Sequence, residues 1–138
     1  MKRTILLPLF ALLFITSNGQ SFLSDLQINE KPLKKTYSEL KIVINKKAGT
    51  ISITDLDSDG HTTIKYKIAF TSTITDEDGT LASYNLFNND QYNVLNVRTY
   101  NQPFVQREQG YDYMIILSKY QNGVRLFDLG MLCNKLPN

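Results

Sequence analysis

The chain has 138 residues, 15 Lys and Arg against 13 Asp and Glu, a single His, a single Cys and no Trp. Two of the basic residues, Lys2 and Arg3, stand at the amino terminus in a segment that reads as a leader, so the mature chain is expected to be close to neutral. That removes the electrostatic case for nucleic acid, which needs a surplus of Lys and Arg on one face. One cysteine excludes an intrachain disulfide, and one histidine excludes a multi-histidine zinc site.

Lys2 and Arg3 are followed by an apolar run from Ile5 to Ile15 and then by Thr16, Ser17, Asn18 and Gly19. This is the charged, apolar and cleavage-region order of a signal peptide, with small residues at Ser17 and Gly19, and cleavage is expected before Gln20. The run is shorter than the roughly 20 residues a membrane-spanning helix requires, and Pro8 interrupts it. No later apolar run is longer, so no membrane span is expected after cleavage. Residues 1–19 are thus read as a signal peptide, residues 20–138 as one antiparallel β domain, and the product as secreted or periplasmic.

The segment 21–37 carries Phe22, Leu23, Leu26, Ile28 and Leu33, with a short strand near 23–28 or a helical turn. Next comes a meander with period-two alternation. Leu40, Ile42 and Ile44 share one face, as do Ile51 and Ile53, and as do Ile64, Tyr66, Ile68 and Phe70. The links 45–49 and 55–60 are of hairpin length. Further strands are expected at 81–87, 92–100, 111–119 and 124–132, with an irregular stretch at 101–110 that includes Pro103, Phe104, Arg107 and Glu108.

Asn122-Gly123 is the strongest turn signal and favours a two-residue type I′ hairpin. An unbroken register from that turn sets Gln121 opposite Val124, Lys119 opposite Leu126, Leu117 opposite Asp128 and Ile115 opposite Gly130. One face then holds Tyr113, Ile115, Leu117, Val124, Leu126 and Leu132, and the other Met114, Ile116, Tyr120, Phe127, Leu129 and Met131. A pair apolar on both sides needs cover on both. Segment 21–37 is the candidate cover; otherwise the outer face is a candidate dimer or partner surface.

Seven or eight short strands joined by tight turns predict an all-β fold: a small antiparallel up-and-down barrel, or alternatively a two-sheet β-sandwich. In size and strand order the chain resembles the lipocalin-like, or calycin-like, barrels. It lacks the Gly-x-Trp signature of lipocalins, and no binding residue of that family is carried over.

The residues that could carry chemistry are few. Asp55, Asp57 and Asp59, ahead of Gly60, match the opening of a calcium loop, but Tyr66 occupies the position where a bidentate Glu is required. An Asp-rich turn explains the same residues without metal, so calcium binding and a plain turn are the two readings. A second acidic turn, Asp76-Glu77-Asp78-Gly79, is expected at the opposite end of the sheet. His61 is placed in a turn, without a nucleophile elbow or other triad signature, and the chain reads as non-catalytic. Glu108, Asp112 and Asp128 are the carboxylates that could pair, and Asp128 is expected on a face with Leu126, Leu117 and Ile115. Cys133 is expected to be a half-buried, inert thiol. Tyr84, Tyr100, Phe104 and Tyr113, together with Asp128, are the candidate ligand-binding residues. The reading that follows is an exported barrel binding a small apolar or amphipathic molecule. Its alternative is an envelope or extracellular interaction module that uses the C-terminal hairpin against a protein partner.

Overall fold

The computed structural model describes residues 19–30, 33–88, 91–106 and 109–137. They form nine strands: β1 (Gln20–Glu30), β2 (Leu33–Thr36), β3 (Leu40–Asn45), β4 (Thr50–Asp55), β5 (Thr63–Asp76), β6 (Gly79–Asn88), β7 (Gln91–Gln106), β8 (Gln109–Gln121) and β9 (Val124–Lys135). From β3 to β9 each strand pairs antiparallel with the next, and β1 pairs with both β3 and β9. The sheet therefore closes on itself as an eight-stranded up-and-down barrel. The remaining strand, β2, pairs with the far half of β1, from Gln27 to Glu30. The segment expected as cover is thus itself part of the wall, and it is strand rather than helical turn.

Alternation drives the packing. Ile42 and Ile44, Ile51 and Ile53, Leu86, Leu95, Ile115, Leu117 and Met131 point inward and merge into one buried cluster. Most of these side chains have no exposed surface at all. The middle of the barrel is therefore a packed core, and each buried Leu or Ile contributes about 1.5–3 kcal/mol of hydrophobic stabilisation. Cys133 belongs to the same cluster and is fully buried rather than half-buried.

Three β-bulges correct the straight reading of the strands. In β5 the register shifts between Ile68 and Phe70. The extra residue turns Phe70 away from the face of Tyr66 and Ile68, and its side chain stands 61% exposed. In β1 Asp25 is extra, so Ser24 lies opposite Cys133 while Leu26 lies opposite Leu132. In β9 the irregularity falls at Leu126: Tyr120 pairs with Arg125, but Lys119 pairs with Phe127.

This last bulge overturns the register expected for the hairpin. Its tip is as predicted, with positive φ at both Asn122 and Gly123. Beyond the bulge, however, Ser118 faces Asp128, Leu117 faces Leu129, and Ile115 faces Met131. A one-residue slip exchanges the faces. Leu129 and Met131 join Ile115 and Leu117 inside, whereas Asp128 and Leu132 move to the outer wall with Met114 and Ile116. Asp128 therefore does not lie among Leu126, Leu117 and Ile115.

The stretch from 101 is also not irregular. β7 continues to Gln106 after a wide shift, and Phe104 pairs with Tyr111. Arg107 and Glu108 lie outside the described residues, as does the side chain of Phe104.

Candidate functional site

The barrel ends differ because different loops rim them. At one end stand the 55–62 loop and the Asn122-Gly123 turn, and here the interior face of the wall outruns the packed core. Leu40 opens β3, Ile53 nearly closes β4, Ile64 and Tyr66 open β5, and Leu117 and Leu129 descend on the other side. With Asp55, Thr62 and Lys119 they line an open bowl of about 350 Å³. All six of the apolar positions have interior parity. Ile64 is 43% exposed because it faces the mouth of the barrel rather than solvent on the outside. Tyr66 is nearly buried in this wall, and that burial raises the ionisation of its phenol above the ordinary value.

The rim is held by its own hydrogen bonds. Asp55 Oδ1 accepts from the backbone N–H of Asp57 at 3.0 Å and of Ser58 at 3.2 Å. Ser58 Oγ donates to the Asp55 carbonyl at 2.9 Å and accepts from the Thr62 N–H at 2.8 Å. Asp57 Oδ2 accepts the N–H of Glu39 at 2.8 Å, which ties the loop to the entry of β3. Positive φ at Gly60 and His61 completes the reversal. A bowl with an apolar floor and a fixed polar rim suits a small, largely apolar molecule that leaves one polar end in water.

The same hydrogen bonds bear on the calcium reading. Asp55 and Asp57 each direct a carboxylate oxygen to backbone amides, and Asp59 is exposed. Among the described residues no group of three or more His, Cys, Asp or Glu is placed to hold a metal ion. The second acidic turn lies at the other end of β5. There Asp76 takes two hydrogen bonds from Arg98, at 2.8 and 2.7 Å, and two from the amides of Asp78 and Gly79.

The structure does not gather the residues singled out from sequence. Tyr84 is buried in the core, and Tyr113 packs edge-on against Phe22 with ring centroids 5.0 Å apart. Tyr100 lies on β7 beside the Arg98 guanidinium, 5.8 Å from its ring centroid. Asp128 is on the outer wall, bonded to Arg125 at 3.1 Å. None of these lines the bowl. The residues that do were legible in one respect: Leu40, Ile53 and Ile64 are the interior-parity positions nearest the 55–62 turn.

Other features are structural. The Tyr111 phenol reaches from β8 to Asp25 on β1 and packs with Leu26 and Leu132. Ser24, Gln27 and Ser38 form a closed set of hydrogen bonds where β1 leaves β3 for β2. No helix is long and apolar enough to cross a membrane among the described residues. No protein-family model matches the chain, and no curated protein was found to match its sequence.

Proposed function

We propose that the protein is an exported, non-catalytic β-barrel that binds a small apolar or amphipathic molecule in the open bowl at the 55–62 end. The observation that carries this reading is the bowl of about 350 Å³, lined by Leu40, Ile53, Ile64, Leu117 and Leu129 under a rim held by Asp55 and Ser58. Export is supported by the leader pattern of residues 1–19. Native mass spectrometry of the secreted protein is expected to show a chain beginning at Gln20 with a small molecule retained. Titration with the neutral dye N-phenyl-1-naphthylamine should give saturable fluorescence, and Leu40→Trp, which fills the bowl, should weaken it at least tenfold. Equal binding by the variant, or none by the parent, would sink the proposal.

A second reading, an envelope or extracellular contact module, is supported by Val124 and Leu126, which stand 64% and 50% exposed at the hairpin tip. Sedimentation velocity of the parent and of a Val124→Ser, Leu126→Ser double variant separates the two. Self-association lost in the double variant supports the second reading.

A further inference from the structure

The wall is taller on one side than on the other. β5 runs for 14 residues, but β4 beside it has only 6. Their pairing ends at Thr50 and Lys67, and the Ile68 N–H donates to the Gly49 carbonyl at 2.8 Å. From Phe70 to Asp76, β5 pairs only with β6 among the described residues. The other side of that segment is an open sheet edge.

The register says which groups lie on this edge. Asp76 and Gly79 close a two-residue turn, so that pair is hydrogen-bonded, and alternation gives Ile74, Ser72 and Phe70 the same relation to β6. The N–H and C=O of Thr71, Thr73 and Thr75 therefore point away from β6, into the space that β4 does not reach. Natural edges are guarded by charge, proline or a bulge. Here Phe70 to Thr75 holds no charge and no proline, and the bulge lies ahead of it, between Ile68 and Phe70. Phe70 and Ile74 flank the row on the outer face, 61% and 62% exposed.

An edge of this kind takes up an extended strand. The charges at its two ends say which strand. One end abuts the 46–49 turn, where Lys46 and Lys47 are exposed, with exposed Lys67 beside it. Lys46 Nζ stands 6.0 Å from the ring centroid of Tyr84, the β6 partner of Thr71, which sets the turn at that level. The other end is the acidic turn, where Asp76 is bonded to Arg98 and Glu77 and Asp78 are exposed. A strand that is basic at one end and acidic at the other complements a copy of itself laid beside it antiparallel.

We infer that two copies of the chain pair edge to edge through residues 70–76 of β5, about a two-fold axis at Thr73. Thr71 then exchanges backbone hydrogen bonds with Thr75 of the second copy, and Thr73 with its own counterpart, so every outward group finds a partner. Glu77 and Asp78 of each copy come beside Lys46 and Lys47 of the other. The two Ile74 side chains meet across the seam. This surface is separate from both the bowl and the hairpin tip.

Sedimentation velocity of the secreted chain at about 100 µM should show a dimer. Amide hydrogen exchange at Thr71, Thr73 and Thr75 should slow as concentration rises, which contact through another face would not produce. Thr73→Pro removes an outward N–H but no hydrogen bond to β6, and should leave a monomer. Should it fail to fold, Thr73→Lys, which guards the edge, serves instead. Glu77→Lys with Asp78→Lys should weaken the dimer at least tenfold at low salt, and adding Lys46→Glu with Lys47→Glu should restore it. The Val124→Ser, Leu126→Ser double variant should remain dimeric. A monomer at this concentration, a dimer that survives Thr73→Lys, one lost with the hairpin tip, or charge variants without effect would each overturn the inference.

Discussion

The phenol of Tyr111 donates a 2.7 Å hydrogen bond to Asp25 Oδ1, joining residues 86 positions apart in the chain. Because β9 runs between β8 and β1, this bond straps the barrel closure from outside. Burial, and then the Asp25 carboxylate, push the Tyr111 phenol up from 10.0 to about 12. A group whose folded value is raised stabilises fully below its unfolded value and loses that contribution as pH climbs through the folded one. Thermal stability is therefore expected to fall between pH 10 and 12. Tyr111→Phe should lower stability at pH 7 by about 1–2 kcal/mol in urea titration, and should flatten the alkaline decline.

Cys133 adds to the same limb. Burial pushes its thiol from 9.0 up to about 12, so its contribution begins to fade near pH 9. In Cys133→Ala the alkaline decline should start about one pH unit later than in the parent. The thiol is fully buried and donates to the Met131 carbonyl at 3.3 Å. The folded protein should resist 5,5′-dithiobis(2-nitrobenzoate) for hours at pH 8 and react within minutes in 6 M guanidinium. Fast native labelling would contradict this packing.

Arg98 governs the acid limb at the opposite turn. Its hydrogen bonds, followed by those of the Asp78 and Gly79 amides, hold the Asp76 carboxyl below its ordinary 3.8. A depressed carboxyl stabilises above its unfolded value, and the contribution disappears as pH falls through the folded one. Carbon-detected NMR titration of Arg98→Met should show the Asp76 midpoint moving part of the way back toward 3.8. The melting difference between parent and variant should be small at pH 7, as expected of an exposed pair, and absent near pH 2.

Two glycines should respond differently to the same change. At Gly79, with φ +149°, a Cβ would fall 1.9 Å from the Thr99 carbonyl oxygen. Gly79→Ala should cost roughly 2 kcal/mol or more, because the β5–β6 turn must move off β7. At Gly123, with φ +75° and open space around it, only the left-handed backbone is strained. Gly123→Ala should cost about 1 kcal/mol. Urea unfolding of both variants checks the order.

Strand alternation, the Asn122-Gly123 turn and short links determined a small antiparallel all-β domain in outline, a barrel or a sandwich, because side-chain period and turn chemistry are local. Closure through β1 and β9 decided for the barrel. The meander from Leu40 to Ile68 could be read directly, down to which residues point inward. The leader pattern set the expectation of export in the same local way. The faces beyond a bulge were not legible. A single extra residue at Asp25, Ala69 or Leu126 reverses every later side chain, and nothing in the local sequence marks those residues as extra. Only closure of the sheet, which must match β1 to β9, decides where they fall. That tertiary requirement sent Asp128 outward, exchanged Leu132 for Leu129 and Met131 in the core, and left Leu40, Ile53 and Ile64 around an open mouth. The candidate sites thus arise from strand closure, which no single segment of the chain encodes.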